Sequence, residues 1–215
     1  MIDYTQVEPN ATRKDIIMLC KEAREYGFGA VCVNPFYVPL VKDLLKDTDV
    51  KICTAIGFPF GATFTEVKVV EARKAIEKGA NEIDTVINIG ALKSGDYAVV
   101  TKDVKEVVKA AHSYGDVIVK VIIEAGYLTS TEKIEACKIA KDVGADFVKT
   151  STGFAGGATV EDVRLIRRIV DMDMGVKAAG GIRTLNDALA MIKAGANRIG
   201  TSTGVAIIKE YMHKH

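Results

Sequence analysis

Two kinds of apolar pattern alternate along this chain. Short, mostly apolar runs predict eight strands, at residues 2–5, 30–34, 52–57, 82–88, 117–124, 147–150, 175–179 and 198–200. Longer segments with apolar residues at helical spacing predict eight helices, at residues 12–26, 38–45, 65–78, 97–114, 131–143, 160–170, 184–194 and 205–211. Because strand and helix alternate with short connections, the pattern predicts parallel strands joined by helices.

The connections carry their own signals. One sequence recurs three times between a predicted helix and the next strand, as Gly79-Ala80-Asn81, Gly144-Ala145-Asp146 and Gly195-Ala196-Asn197. Glycine suits the left-handed residue that ends a helix, and Asn or Asp suits a tight entry to a strand. Capping boxes are predicted where a Thr precedes an acidic residue by three positions, at Thr129 with Glu132, Thr159 with Asp162, and Thr184 with Asp187.

Eight strands alternating with eight helices predict a (β/α)8 TIM barrel, formed by residues 1–215 as a single domain. The alternative is a doubly wound open sheet. That fold usually carries a glycine-rich turn after its first strand, and no such turn follows residues 2–5 or 30–34.

Composition narrows the function. Of the 215 residues, 48% are hydrophobic and 27% charged, and the formal net charge is only +1, so nothing predicts binding to nucleic acid. The apolar run 117–123 is interrupted by Lys120 and is too short to span a membrane, and the N-terminus does not resemble a signal peptide. The four cysteines show no CxxC spacing and are expected to be reduced thiols of a cytoplasmic protein.

Five charged residues fall inside predicted strands: Asp3, Asp84, Lys120, Lys149 and Lys177. The lysines have apolar or small neighbours on both sides, so strand alternation places each lysine on the face opposite its neighbours. If the neighbours pack against the helices, the lysines point into the barrel. One inward lysine is as often structural as functional, but three with two aspartates indicate a site, because clustered cations lower one another's pKa.

Lys149 has the most informative surroundings. It ends a short apolar strand and is followed by Thr150-Ser151-Thr152-Gly153, whose hydroxyl and N–H groups suit an anion. An uncharged lysine is a nucleophile toward a carbonyl carbon, so the segment predicts a Schiff base and a phosphorylated carbonyl substrate. Taken alone, a lysine at the end of a strand is more often simply exposed to solvent.

Two glycine-rich loops follow the seventh and eighth predicted strands. The first contains Gly180, Gly181 and Arg183, and the second contains Gly200 and Ser202. In this fold, the loops after these two strands, together with a helix N-terminus, are the usual phosphate site. Arg183 would add a charge-assisted contact.

We predict neither a metal nor another cofactor. The three histidines, His112, His213 and His215, lie late in a helix or in the C-terminal tail, so they cannot form a histidine zinc site at the strand ends. Cys32 is a candidate for the wall of a substrate pocket, although a buried structural thiol is the more common role of such a residue.

These residues together resemble the deoxyribose-phosphate aldolase family along the whole chain. The matching segments are Ile2-Asp3-Tyr4-Thr5, Val31-Cys32-Val33-Asn34-Pro35, Glu82-Ile83-Asp84, the segment from Lys120 to Glu124, the segment from Lys149 to Phe154, the segment from Lys177 to Thr184, and Gly200-Thr201-Ser202. The sequences KTSTGF and KAAGGIRT in one chain are specific to that family.

The resemblance implies reversible cleavage of 2-deoxy-D-ribose 5-phosphate to D-glyceraldehyde 3-phosphate and acetaldehyde, in deoxyribonucleoside catabolism. It implies that Lys149 forms the Schiff base and that Lys177 favours its uncharged form and shuttles protons. Asp84 would move protons through an ordered water, with Lys120 and Asp3 in support. The loop residues Gly180, Gly181, Arg183, Gly200 and Ser202 would hold the phosphate, and Gly153 would bind the substrate. A homo-oligomer, dimer or tetramer, is also expected.

The chain departs from the family pattern at Phe154, where some members have a lysine that contacts the phosphate, and near the start, at Tyr4 and Gln6. Its C-terminus does not match the tyrosine-ended tail of some members. Two other functions remain open from the residues alone: a different Schiff-base aldolase of the same fold, and a protein that binds a phosphorylated metabolite without catalysis.

Overall fold

The computed structural model describes residues 1–214, and its eight parallel strands form a closed barrel in sequence order. The strands are β1 Ile2–Gln6, β2 Ala30–Val33, β3 Lys51–Ile56, β4 Glu82–Val86, β5 Ile118–Ile122, β6 Phe147–Lys149, β7 Gly175–Ala179 and β8 Arg198–Thr201. The helices are α1 Arg13–Tyr26, α2 Val38–Leu45, α3 Thr65–Lys78, α4 Ile89–Lys93, α5 Tyr97–His112, α6 Ser130–Asp142, α7 Val160–Val170, α8 Leu185–Ala194 and α9 Gly204–Lys214. The predicted TIM barrel is confirmed.

The main difference from the predicted elements lies after β4. The apolar run 82–88 predicts a strand to residue 88, but β4 ends at Val86 and the short helix α4 begins at Ile89. Asn88 caps this helix, because its side chain accepts a hydrogen bond from the N–H of Ala91 at 3.1 Å. An apolar run does not by itself distinguish a buried strand from a helix of one turn.

The three repeated turns do the same structural job. The glycines that end α3, α6 and α8 have positive φ, at 120° for Gly79, 78° for Gly144 and 115° for Gly195. The Asn or Asp two residues later accepts a hydrogen bond from a backbone N–H of the preceding strand, over 3.0 Å for Asn81, 2.7 Å for Asp146 and 2.9 Å for Asn197. Each turn therefore ends a helix and joins two neighbouring strands.

Two of the three predicted capping boxes are complete, at Thr129 with Glu132 and at Thr184 with Asp187. At Thr159 only the Thr side chain caps the helix, because the carboxylate of Asp162 instead accepts the Thr159 hydroxyl and the Lys133 ammonium.

The apolar core lies between the strands and the surrounding helices. Because the charged strand residues point into the barrel, their apolar neighbours on the same strands point outward into this core. Outward strand residues such as Val31, Ile83, Val121 and Val176 are fully buried in it. The interior of the barrel is instead lined largely by charged side chains, described below. No helix among residues 1–214 is both long and apolar enough to cross a membrane.

Candidate active site

A cavity of about 330 Å³ opens at the C-terminal ends of β1, β6, β7 and β8. Its wall contains Lys149, the predicted substrate-binding residue Gly153, and all five residues predicted to hold phosphate, namely Gly180, Gly181, Arg183, Gly200 and Ser202. The two predicted halves of the site therefore share one cavity, at the end of the barrel where this fold places its active sites.

Lys149 reaches this cavity from beneath. Its side chain is only 4% exposed, and its Nζ atom lies 2.8 Å from Oδ2 of Asp84. Of the three strand lysines it alone lines the cavity, while Lys120 and Lys177 are fully buried below it. The register of β6 and β7 pairs Lys149 with Lys177, which brings the two ammonium groups to the same carboxylate.

Asp84 is the centre of the lysine cluster. Its Oδ2 atom accepts from Lys149 and, at 2.7 Å, from Lys177, while its Oδ1 atom accepts from Lys120 at 2.9 Å. Lys177 also lies 2.6 Å from Oδ2 of Asp3. The structure thus brings together all five charged strand residues that the sequence singled out.

The electrostatics of the cluster differ in one respect from the expectation. Burial by itself would raise the pKa of Asp84, but Lys120, Lys149 and Lys177 hold that pKa well below its usual value. Burial would likewise lower the pKa values of Lys120 and Lys177. The neighbouring carboxylates, Asp84 for both and Asp3 for Lys177, outweigh burial and raise them. Lys177 does lower the pKa of Lys120, as predicted, but the net pKa shift of both lysines is upward, because each has its own anions.

Two further charged residues belong to the cluster, and the sequence analysis did not assign them a role. Glu82 lies 2.6 Å from Lys120, and Arg198 lies 3.0 Å from Glu82 and 2.6 Å from Asp3. Strand alternation offers a signal for both. Glu82 shares a strand face with Asp84, and Arg198 shares one with Gly200.

The glycine-rich loops form the opposite wall of the cavity. Gly180 and Gly181 have φ of 87° and 74°, which L side chains rarely adopt. A Cβ atom at Gly180 would lie 3.0 Å from the carbonyl oxygen of Gly156. The hydroxyl of Thr201 donates to the carbonyl oxygen of Ile182 at 2.7 Å, so the two loops are held together. Residues of both loops line the cavity, and glycine-rich backbone of this kind is typical of anion sites.

The loop after Lys149 is held by a residue just beyond the end of β5. The buried carboxylate of Glu124 accepts hydrogen bonds from the N–H and the hydroxyl of Thr152. Glu124 itself has φ of 52°, an uncommon backbone conformation for a residue other than glycine. Phe154 packs edge-on against Phe58, with ring centroids 5.5 Å apart, and its half-exposed ring completes this side of the cavity.

Cys32 is fully buried and lies outside the cavity wall, so its predicted place in that wall is not where the structure puts it. The register of β2 and β3 pairs it with Cys53, whose thiol donates to Asp84 at 3.0 Å. Among residues 1–214, the ligand atoms of Cys32, Cys53 and Asp84 are the one group of three close enough to share a metal ion, all within 4.8 Å of one another. The lysine ammonium groups that contact Asp84 repel a metal cation from this group of three residues.

A barrel that presents a buried lysine to a cavity walled by glycine-rich loops has the features of a Schiff-base aldolase. The comparison with known families agrees, because the sequence model of the DeoC/LacD family of aldolases matches residues 1–210. The chain belongs to this family.

Individual relatives are similar over nearly the whole chain. A deoxyribose-phosphate aldolase from Thermococcus gammatolerans is 66% identical over 211 residues, which are 97% of this chain and 93% of the relative. One from Caldanaerobacter subterraneus subsp. tengcongensis is 61% identical over 212 residues, 98% of this chain and 92% of the relative. The solved structure of the Aeropyrum pernix deoxyribose phosphate aldolase, described as a unique tetramer, superimposes with a TM-score of 0.92 at 37% identity, covering 100% of this chain and 90% of that one.

Proposed function

We propose that this chain is a deoxyribose-phosphate aldolase, which cleaves 2-deoxy-D-ribose 5-phosphate reversibly to D-glyceraldehyde 3-phosphate and acetaldehyde. The observation that carries the proposal is the position of Lys149. Its amine is the one member of the lysine cluster in the wall of a cavity whose other wall is formed by the two glycine-rich loops. A substrate bound there has an anionic end at the loops and a carbonyl at the lysine.

In the first step the uncharged Lys149 amine attacks the aldehyde carbon of the open-chain sugar. Water leaves, and a protonated imine forms. The attack of the amine and the loss of water both require proton transfer to or from the substrate. Asp84, which contacts Lys149 and Lys177 through the same oxygen atom, is placed to relay them, directly or through a water molecule.

In the second step the bond between C2 and C3 breaks. The proton of the C3 hydroxyl goes to a base, the C3–O pair becomes the new carbonyl, and the C2–C3 electron pair moves into the imine as an enamine. D-Glyceraldehyde 3-phosphate then leaves. Protonation of the enamine at C2 and hydrolysis of the imine release acetaldehyde and restore Lys149, so the cycle needs no external oxidant or reductant.

The phosphate supplies binding energy at a distance from the reacting carbons. Gly180, Gly181, Gly200 and Ser202 offer backbone and hydroxyl donors, and Arg183 offers a guanidinium group. Binding at that end holds the aldehyde near Lys149, which lowers the barrier by orientation. Phe154 cannot provide an ammonium contact, so the donors of the loops carry this role.

The decisive experiment is reductive trapping. Sodium borohydride added in the presence of acetaldehyde should attach a two-carbon unit to the peptide that contains Lys149, as peptide mapping by mass spectrometry would show. Lys149→Arg should abolish the label. Labelling at Lys120 or Lys177 instead would overturn the assignment. A protein that binds the sugar phosphate but forms no imine would be a metabolite binder.

We also infer that residues 1–215 act as one catalytic domain, because the charged cluster takes residues from β1, β4, β5, β6, β7 and β8. We infer a homo-oligomer, dimer or tetramer, because the Aeropyrum pernix relative is described as a tetramer. A cytoplasmic location remains our prediction from the cysteine pattern. Light scattering of the purified protein would test the assembly.

A further inference from the structure

Six charged side chains form a closed ring inside the barrel, in which positive and negative groups alternate. Neighbouring members lie between 2.6 and 3.0 Å apart, in the order Arg198, Asp3, Lys177, Asp84, Lys120, Glu82 and back to Arg198. We call these six residues the charge ring. Within the ring each member contacts two groups of opposite sign, so its three cations and three carboxylates cancel.

Lys149 stands outside the charge ring and is attached to it only through Asp84, at 2.8 Å. With Lys149 protonated, the assembly of seven groups carries one excess positive charge. When Lys149 loses its proton, the assembly is neutral. An unbalanced charge is costly in a buried site. Because the ring itself is neutral, loss of the Lys149 proton removes the excess positive charge of the seven groups.

We propose that Glu82 and Arg198 are positioning residues, which complete the charge ring and thereby set how readily Lys149 gives up its proton. The inference rests on the proposed role of Lys149 as the nucleophile. Neither residue lies in the cavity wall, so neither contacts the substrate. Glu82 lies two strand residues, about 7 Å, below Asp84 on the side away from the cavity. Its effect on Lys149 is therefore electrostatic, carried through Lys120 and Asp84.

Every strand of the barrel except β6 contributes a group that faces Lys149 or the ring. These are Asp3 on β1, Cys32 on β2, Cys53 on β3, Glu82 and Asp84 on β4, Lys120 on β5, Lys177 on β7 and Arg198 on β8. Burial holds the pKa of the Cys53 thiol well above its usual value, and the hydrogen bond between the two thiols lowers the pKa of Cys32. Because both thiols are present in every variant, removal of one carboxylate or one cation from the ring shifts the charge balance in a known direction relative to the wild type.

The test compares two isosteric or near-isosteric variants of opposite sign. Glu82→Gln removes a negative charge, so Lys149 should lose its proton more readily. In the pH profile of kcat/KM for 2-deoxy-D-ribose 5-phosphate, the acid limb, where activity rises with pH, should move to lower pH. Arg198→Gln removes a positive charge, and the same limb should move to higher pH. Each shift should be on the order of one pH unit, since a unit charge about 10 Å away acts with about that strength at an effective dielectric constant of about 20. The double variant should return the limb close to the wild-type position.

Three controls separate this effect from loss of structure. Asp103→Asn breaks the buried Lys68–Asp103 pair between α3 and α5, away from the ring, and should lower the unfolding temperature without moving the acid limb. Glu82→Asp and Arg198→Lys keep the charges and should keep the limb in place, even if either is less stable. A limb that moves in a charge-preserving variant would overturn the proposal.

The two single variants distinguish failure of the ring proposal from failure of the proposed function. Acid limbs that stay in place, or that move in the same direction in Glu82→Gln and Arg198→Gln, overturn the ring proposal while the wild-type enzyme still traps acetaldehyde at Lys149. Absence of trapping in the wild type would instead overturn the proposed function itself.

Discussion

The Nζ atom of Lys149 lies 2.8 Å from Oδ2 of Asp84, the carboxylate that also contacts Lys120 and Lys177. One buried anion thus holds the proposed nucleophile in place and links it to the other two lysines. This arrangement gives the nucleophile a fixed position beneath the cavity and a short route for protons.

Replacement of Lys177 by Leu should abolish most activity at neutral pH. The change removes a cation that shares Oδ2 of Asp84 with Lys149, so the Lys149 amine should hold its proton more strongly and proton transfer should slow. We expect kcat/KM to fall by about a hundredfold or more at pH 7. The matched control is Lys68→Leu, which removes an equally buried lysine of another cluster and should reduce stability but not the turnover of the folded protein. Turnover of Lys177→Leu near the wild-type rate would contradict the two-lysine mechanism.

The sugar phosphate should be a far better substrate than the free sugar. Loss of the charge-assisted contacts at Arg183 and the glycine-rich loops should reduce kcat/KM for 2-deoxyribose by on the order of a hundredfold or more. Inorganic phosphate should compete with the phosphorylated substrate. Arg183→Ala should narrow the difference between the two sugars, whereas Arg168→Ala, an exposed arginine of α7, should not. Equal kcat/KM values for the two sugars would mean that these loops bind no phosphate.

Asp84→Asn should destabilise the fold in a pH-dependent way. The pKa of Asp84 lies well below its usual value, so its ionised form stabilises the native state above about pH 4, and this contribution is lost as the pH falls through the lowered pKa. We expect the variant to lose about 3 kcal/mol or more of unfolding free energy near neutral pH. The gap in unfolding temperature should be constant from about pH 8 to about pH 5 and should narrow only in stronger acid.

The control for Asp84→Asn is Asp142→Asn, which changes an exposed carboxylate at the end of α6. Its unfolding temperature should stay close to that of the wild type. If the gap for Asp84→Asn already closed between about pH 6 and about pH 5, the carboxylate would not be held ionised by the lysines.

Glu124→Gln should loosen the loop that follows Lys149. Both Thr152 donors reach Oε2 of Glu124, and the Thr152 N–H also reaches Oε1. The amide replaces a charged acceptor by a neutral one and puts an NH2 group in place of one oxygen, facing the Thr152 N–H if it replaces Oε1. Because Gly153 of this loop lines the cavity, we expect KM for the sugar phosphate to rise by about tenfold while trapping at Lys149 persists. Glu132→Gln weakens a similar carboxylate contact in the capping box of α6, outside the cavity wall, and should leave KM unchanged. An unchanged KM in Glu124→Gln would show that the loop is held by other contacts.

Activity should not depend on a metal ion. The lysine route forms and breaks the carbon–carbon bond without a Lewis acid, and the lysines on Asp84 repel a cation from the Cys32–Cys53 thiols. We therefore expect full kcat/KM after dialysis against EDTA. Loss of activity that zinc restores would show that this thiol group binds a metal.

The sequence was sufficient to predict the order of strands and helices, except for the short helix α4, and the direction of the strand lysines. Apolar runs and helical spacing act over a few residues, so β7 and three helices have the predicted bounds. The inward direction of Lys120, Lys149 and Lys177 likewise followed from strand alternation alone. The segment around Lys149 predicted a Schiff base and a phosphorylated carbonyl substrate, and the resemblance added the particular sugar and the roles of Lys177 and Asp84.

Only the tertiary structure decided which charges meet. Closure of the barrel brings Arg198 to Asp3, 195 residues away, and to Glu82, 116 residues away. The register between strands, not their order, places Lys149 opposite Lys177 and Lys177 opposite Arg198. A register is set by the stagger of the whole closed sheet, because all eight strands must pair at once. For the same reason the carboxylates that raise the pKa values of Lys120 and Lys177 could not be recognised from the residues beside those lysines in the sequence.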